Sequence, residues 1–157
     1  MKYKFLIILL LSFVKGYSQR QEDDCKRMID SAISIKVNEW SIQVKRNNAV
    51  NSSLKDLYLI NENDLPYLYS STLTGVKFKY INVHSPKSKK ILKKGIFAWK
   101  ILTSLDKDTF SITIIDFTIT CKNGNYNYAN GGGSKTLFRY SCQENRWILI
   151  ESKSSGI

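Results

Sequence analysis

The sequence predicts an α+β fold, with one long N-terminal helix packed on a curved antiparallel meander sheet of four to five strands. Three observations carry that expectation. Apolar residues recur at steps of three and four early in the chain, period-two runs rich in Ile, Thr, Phe and Tyr fill its second half, and tight-turn residues separate those runs. A helix followed by strands joined in succession buries the apolar side of the sheet on the helix.

The helix is expected over about residues 22–45, where Cys25, Met28, Ile29, Ala32, Ile33, Val37, Trp40 and Val44 share one face. Ile33, Ile35 and Val37, then Trp40, Ile42 and Val44, also alternate as a strand does, so the second half stands open to either reading. The polar residues Asn47, Asn48, Asn51, Ser52 and Ser53 stop the helix in both cases. Residues 54–60 (LKDLYLI) read as a short strand, and NENDLPY as a turn in which Pro66 fixes the chain direction. Val76, Phe78, Tyr80 and Ile81, with Lys77 and Lys79 between them, read as a half-exposed strand.

HSPKSKK is a loop, and a strand follows Gly95 as far as Leu105. After the DKD turn comes FSITIIDFTITC, the strongest β signal in the chain. Asn123-Gly124 closes a hairpin. Residues 126–130 continue as strand, Gly131 to Gly133 supply a bulge or bend, and residues 136–142 resume it. A two-residue turn at Glu144-Asn145 leads into a last strand over residues 147–152 and sets Cys142 opposite Trp147. In this element order, over most of residues 22–152, the chain resembles the cystatin-like and nuclear-transport-factor-like rolls. That resemblance implies the fold and no site residue, because such rolls include catalysts, binders and immunity proteins.

The first 18 residues read as a cleavable secretory signal peptide, with Lys2 and Lys4 ahead of an apolar run from Phe5 to Val14 and small residues Gly16 and Ser18 near the cleavage point. Ten apolar residues fall well short of the roughly 20 that span a bilayer. The first cysteine, Cys25, follows Glu22, Asp23 and Asp24, which does not suit a lipid anchor. The predicted organisation is therefore residues 1–18 as signal and residues 19–157 as a single α+β domain, exported to the periplasm or the medium.

The whole chain carries a formal charge of +11, and loss of Lys2, Lys4 and Lys15 with no acid brings the mature domain to +8. Such a surplus favours a protein or anionic polymer as partner. Nucleic acid fits less well, because 19 of the 24 basic residues are Lys and only five are Arg, and phosphate readers favour the Arg fork. Cys25, Cys121 and Cys142 allow one bridge at most, and the hairpin spacing favours none. With no C-x-x-C pair and His84 as the single histidine, neither metal nor cofactor is expected.

The densest charge cluster is KSKKILKKG, in which Lys87, Lys89, Lys90, Lys93 and Lys94 read either as an anion-binding patch beside His84 and Trp99 or as a solvated strand entry. Tyr126 and Tyr128, near a turn, are candidate contact residues, and Tyr67 and Tyr69 are expected exposed. Trp40, Trp99 and Trp147 are expected in the core. NGGGSKT lacks the order and flanks of a phosphate loop. Asp116 shares its strand face with Phe110, Ile112 and Ile114, so it either enters an apolar concavity as a general base, with His84 or Tyr140 as partner, or turns to solvent or a Lys at a bulge. Two functions follow. The leading one is an exported non-enzymatic binding module, such as an inhibitor or immunity protein, and the other is a small pocket-based hydrolase or isomerase with Asp116 as base.

Overall fold

The computed structural model describes residues 24–42, 56–70, 74 and 76–156. The expected signal segment and the polar stop after the helix lie outside these residues. The architecture is α+β, with helix α1 over residues 24–42 laid on one face of a five-stranded sheet of order β1-β2-β3-β4-β5. Strand β1 is Leu57–Ile60, β2 Ile96–Asp106, β3 Thr109–Lys122, β4 Asn125–Ser141 and β5 Arg146–Gly156. Among the described residues no helix is long and apolar enough to cross a membrane.

Helix α1 buries Met28, Ile29, Ala32, Ile33 and Val37, the steps of one, three and four that put side chains on a single face. They pack on Leu57, Leu59, Trp99, Ile101, Phe110, Ile112, Ile114 and Phe138 of the sheet. The helical reading therefore prevails through residue 42, because the 3.6-residue stripe finds a sheet to cover.

The four long strands form the expected antiparallel meander, but β1 joins β2 in parallel, with Leu57 beside Phe97 and Ile60 beside Lys100. Parallel neighbours need a long crossover. The chain between Ile60 and Ile96 supplies it, containing a 3-10 turn Pro86–Ser88 and a single helical turn, α2, Lys89–Leu92. The loop expected at HSPKSKK is thus partly helical. The strand expected around residues 76–81 is absent as an element. Lys79 makes one isolated bridge to Tyr58, its N–H donating to Leu57 O at 2.9 Å and its carbonyl accepting from Leu59 N–H at 3.3 Å.

Strand β3 buries even-numbered residues Phe110, Ile112 and Ile114 against α1, then Ile119 and Cys121 on the opposite face. Consecutive side chains alternate between faces, so an odd step along β3 moves burial to the other face of the sheet. The second core holds Ile60, Ile81, Val83, Leu92, Ile96, Ala98, Ile119 and Cys121, roofed by the crossover segment. The faces change over at the β-bulge between Ile115 and Phe117, where β4 carries the extra residue.

Asn123 (φ 52°) and Gly124 (φ 82°) close the β3–β4 hairpin in the left-handed region that a two-residue turn requires. The β4–β5 turn is longer than expected and occupies residues 142–145, with Asn145 at φ 50°. Tyr140, not Cys142, therefore opposes Trp147, and Cys142 lies exposed in the turn. Trp99 is buried as expected, whereas Trp40 and Trp147 are half-buried, Trp147 leaning on Phe110 and Tyr140. Tyr69 is buried and not exposed, because its hydroxyl finds partners inside in Ser34 (3.0 Å) and Thr74 (3.2 Å). Tyr67 is half-buried and donates to Asp30 at 2.9 Å. Burial and that carboxylate both push its phenol above the ordinary value.

Candidate functional site

The second core gathers most of the residues singled out by sequence at one end of the molecule. Leu92 is fully buried among Ile119, Cys121 and Ile96, which seats α2 on the sheet, and Tyr126 and Tyr128 pack on the same cluster from β4. Ser88 is buried and donates to Asn82 O at 2.6 Å, holding the 3-10 turn in place. Lys87, Lys89, Lys90, Lys93 and Lys94 all remain exposed around these two anchors. None of the five makes an ion pair among the described residues, whereas Lys26, Lys36, Lys79, Lys100 and Lys153 each do.

His84 starts this lobe. Its ring stands edge-on to Tyr126, centroids 4.9 Å apart, and its Nε2 lies 3.1 Å from Asp64 Oδ2. Asp64 also accepts from Lys100 Nζ (2.8 Å) and from the Tyr128 hydroxyl (2.9 Å), so one carboxylate joins the turn, β2, β4 and the start of the lobe. Local sequence makes this geometry. Asn61 Oδ1 accepts from the N–H groups of Asn63 and Leu65, an Asx turn that carries Asp64 to φ 59°. Asp tolerates that region better than most side chains. The Asp64 carbonyl then accepts from Val83 N–H at 3.1 Å.

Burial alone would raise the Asp64 carboxyl, but the hydrogen bonds from Lys100, Tyr128 and His84 outweigh it and hold the group below its ordinary value. The same pairing, after burial, pushes the Tyr128 phenol up. Tyr128 was expected to offer a contact surface. Its hydroxyl is instead committed inward, because a half-buried carboxylate competes successfully for it. Tyr126 keeps the rim position beside His84.

Asp116 does not join this site. It faces α1, as the alternation predicted, and meets Lys36, whose Nζ lies 3.0 Å from Oδ1 and 3.2 Å from Oδ2. The Lys36 ammonium also stands 5.0 Å from the centre of the Trp99 ring. His84 is occupied by Asp64, and the Tyr140 hydroxyl donates to Asn145, so neither expected partner reaches Asp116. The carboxylate acts as the counter-ion that lets a lysine lie buried in the helix face. Despite its closeness to the ammonium, Asp116 Oδ1 has no aligned donor among the described residues, and buried Ser134 Oγ has no partner among them.

Sequence reasoning missed Asp64, Lys100 and Lys36. NENDLPY was legible as a turn, and an Asp in such a turn signals a left-handed residue, but nothing local told which donors would come to it. Cys25, Cys121 and Cys142 are free thiols in three settings, half-buried on α1, buried in the second core and exposed in the last turn. Burial raises the Cys25 thiol.

No known family's sequence profile matches the chain, and no curated protein does. Among solved structures, the chain is similar to a crystallised NTF2-like protein with a cystatin-like fold from Novosphingobium aromaticivorans, at 10% identity and a TM-score of 0.27, over 94% of this chain and 88% of that one.

Proposed function

We propose that this chain is an exported, non-enzymatic module that binds an anionic partner, a protein or an envelope polymer, on the lobe from His84 to Lys94 with Tyr126 at its rim. One observation carries the reading. Five exposed lysines sit within eight residues of a segment that Leu92 and Ser88 fix to the sheet, and no described acid neutralises them. Cations clustered on one anchored segment add their fields at an approaching anion, over a range of about 8 Å at physiological salt. The segment is anchored before binding, which reduces the ordering cost of association.

The test is salt-dependent retention on a sulfated polysaccharide matrix. A variant with Lys87, Lys89, Lys90, Lys93 and Lys94 changed to Gln is expected to elute at much lower salt than the wild type. A variant with Lys107, Lys122 and Lys135 changed to Gln is expected to lose far less. Equal elution of the two variants overturns the lobe as the binding surface. Export is checked by mass spectrometry of protein recovered outside the cytoplasm, expected to begin at Gln19.

A second reading, a pocket for a small molecule beneath α1, draws on Asp116 Oδ1 and the Ser134 hydroxyl, two buried polar groups without a hydrogen-bond partner among the described residues. The ion pair with Lys36 weighs against Asp116 as a general base, since its carboxylate already has a use.

A further inference from the structure

Strand β5 forms one margin of the sheet over 11 residues, and among the described residues no backbone hydrogen bond reaches its outer side. The opposite margin differs in both respects. Strand β1 has four residues, and Lys79 bonds to its outer side at Leu57 and Leu59. Among the described residues one long edge is therefore left open, and an unpaired row of N–H and C=O groups is a template for another strand.

The side chains on β5 indicate which strand fits. Leu149 and Ile150 are 46% and 52% exposed, large apolar groups that end the run from Trp147 to Ile150. Beyond them Glu151 and Lys153 lie on the same face, two residues apart, Lys153 Nζ 2.5 Å from Glu151 Oε1. Within the sheet Lys153 stands directly opposite Lys135, and Glu151 opposite Leu137. Like charges opposed across strands disfavour pairing, so Lys153 has Lys135 on one side, its own Glu151 along the strand, and an outer side on which a second acid would offset Lys135.

We propose that two copies of this chain pair antiparallel through β5 about a two-fold axis at Ser152. That register sets Glu151 of each copy opposite Lys153 of the other, so two cross-strand ion pairs form from one sequence. A two-fold contact must be self-complementary, and a +/− pair placed symmetrically about one residue meets that condition. The register also brings Ile150 of each copy against Ser154 of the other and continues the sheet from five strands to ten. The bulge that leaves Ile150 unpaired with β4 lies outside the central triplet 151–153.

Sedimentation velocity on the full chain tests this through charge exchange. The wild type is expected to dimerise reversibly. Glu151→Lys and Lys153→Glu each place like charges across the axis and are expected to weaken the dimer about tenfold, the sum of two lost pairs and two repulsions. Mixing the two single variants restores both pairs in a heterodimer, as does the double variant E151K/K153E with itself. Recovery of association in the mixture is the decisive result, because a structural role for either residue gives none. A wild type that sediments as a monomer at its highest soluble concentration overturns the proposal. So does a dimer that both substitutions leave unchanged, which places the contact elsewhere. Circular dichroism of each variant confirms that the fold is retained.

Discussion

At the scale of the residue, Asp64 does most to organise the candidate binding end. Its carboxylate takes hydrogen bonds from Lys100, Tyr128 and His84, which belong to three different parts of the chain. Replacing it with Ala strands the Tyr128 hydroxyl and the largely buried Lys100 ammonium, at a cost of about 2–3 kcal/mol near neutral pH. The pH dependence has a definite sign. The folded carboxyl titrates below its unfolded value, so its stabilisation is complete above the ordinary carboxylate range and is lost as pH falls through the folded value. Urea denaturation of wild type and Asp64→Ala is therefore expected to show a gap at about pH 7 that narrows at about pH 3. A gap of constant size would mean that Asp64 stabilises by its turn geometry and not by its charge. None of this was legible from the sequence, in which Asp64 is one of four consecutive polar residues in a turn. Its donors lie 20, 36 and 64 positions away.

At the scale of the element, the glycine run in β4 shows how one strand serves a sheet buried on both faces. Gly131, Gly132 and Gly133 lie across from Asp116, where β4 needs an extra residue to bring Tyr128 to one core and Thr136 to the other. Gly132 takes φ 109°, which side-chain-bearing residues rarely adopt. A Cβ on Gly133 would stand 2.6 Å from Ile114 O, while one on Gly131 would meet its nearest neighbour, Asp116 O, at 3.6 Å. Gly133→Ala is accordingly expected to cost about 1–3 kcal/mol through overpacking against backbone, and Gly131→Ala to stay within about 0.5 kcal/mol, read from urea midpoints. The bulge was legible because three glycines between two β-patterned runs have few other uses. The segment around residues 76–81 misled for a related reason. Its alternation lasts only from Val76 to Lys79, after which Tyr80 is exposed and Ile81 turns into the second core, and a single bridge at Lys79 satisfies the edge of β1 without a full ladder. Alternation reports which faces are buried, and it leaves the number and direction of neighbouring strands open. The parallel placement of β1 escaped sequence reading on the same ground.

At the scale of the whole molecule, the two apolar clusters are expected to unfold as one cooperative structure, because β2 and β3 contribute residues to both. FSITIIDFTITC was the strongest β signal in the sequence for this reason: its Ile and Phe residues fall on both parities, and each parity is buried along a different half of the strand. Read as a single face, the same run made Asp116 look like an interruption, when it marks the changeover. Ile114 and Ile119 test the arrangement. Both are fully buried, they are five positions apart on β3, and the odd step puts them on opposite faces under different covers, α1 and the crossover segment. Each Ile→Ala substitution is expected to cost about 2–5 kcal/mol. At about 3.4 Å per residue the two sites are some 17 Å apart, far enough for the double variant to show nearly the sum. If the strands couple the clusters as described, Ile119→Ala lowers the stability of the α1 face equally, and tryptophan fluorescence and far-ultraviolet circular dichroism report one coincident transition. A separate early transition for the lobe would show that the crossover segment unfolds locally. In that case the lysines from Lys87 to Lys94 would lose their fixed spacing while the rest of the protein stayed folded, and the salt-dependent retention of Ile119→Ala would fall at temperatures where its tryptophan fluorescence remained native.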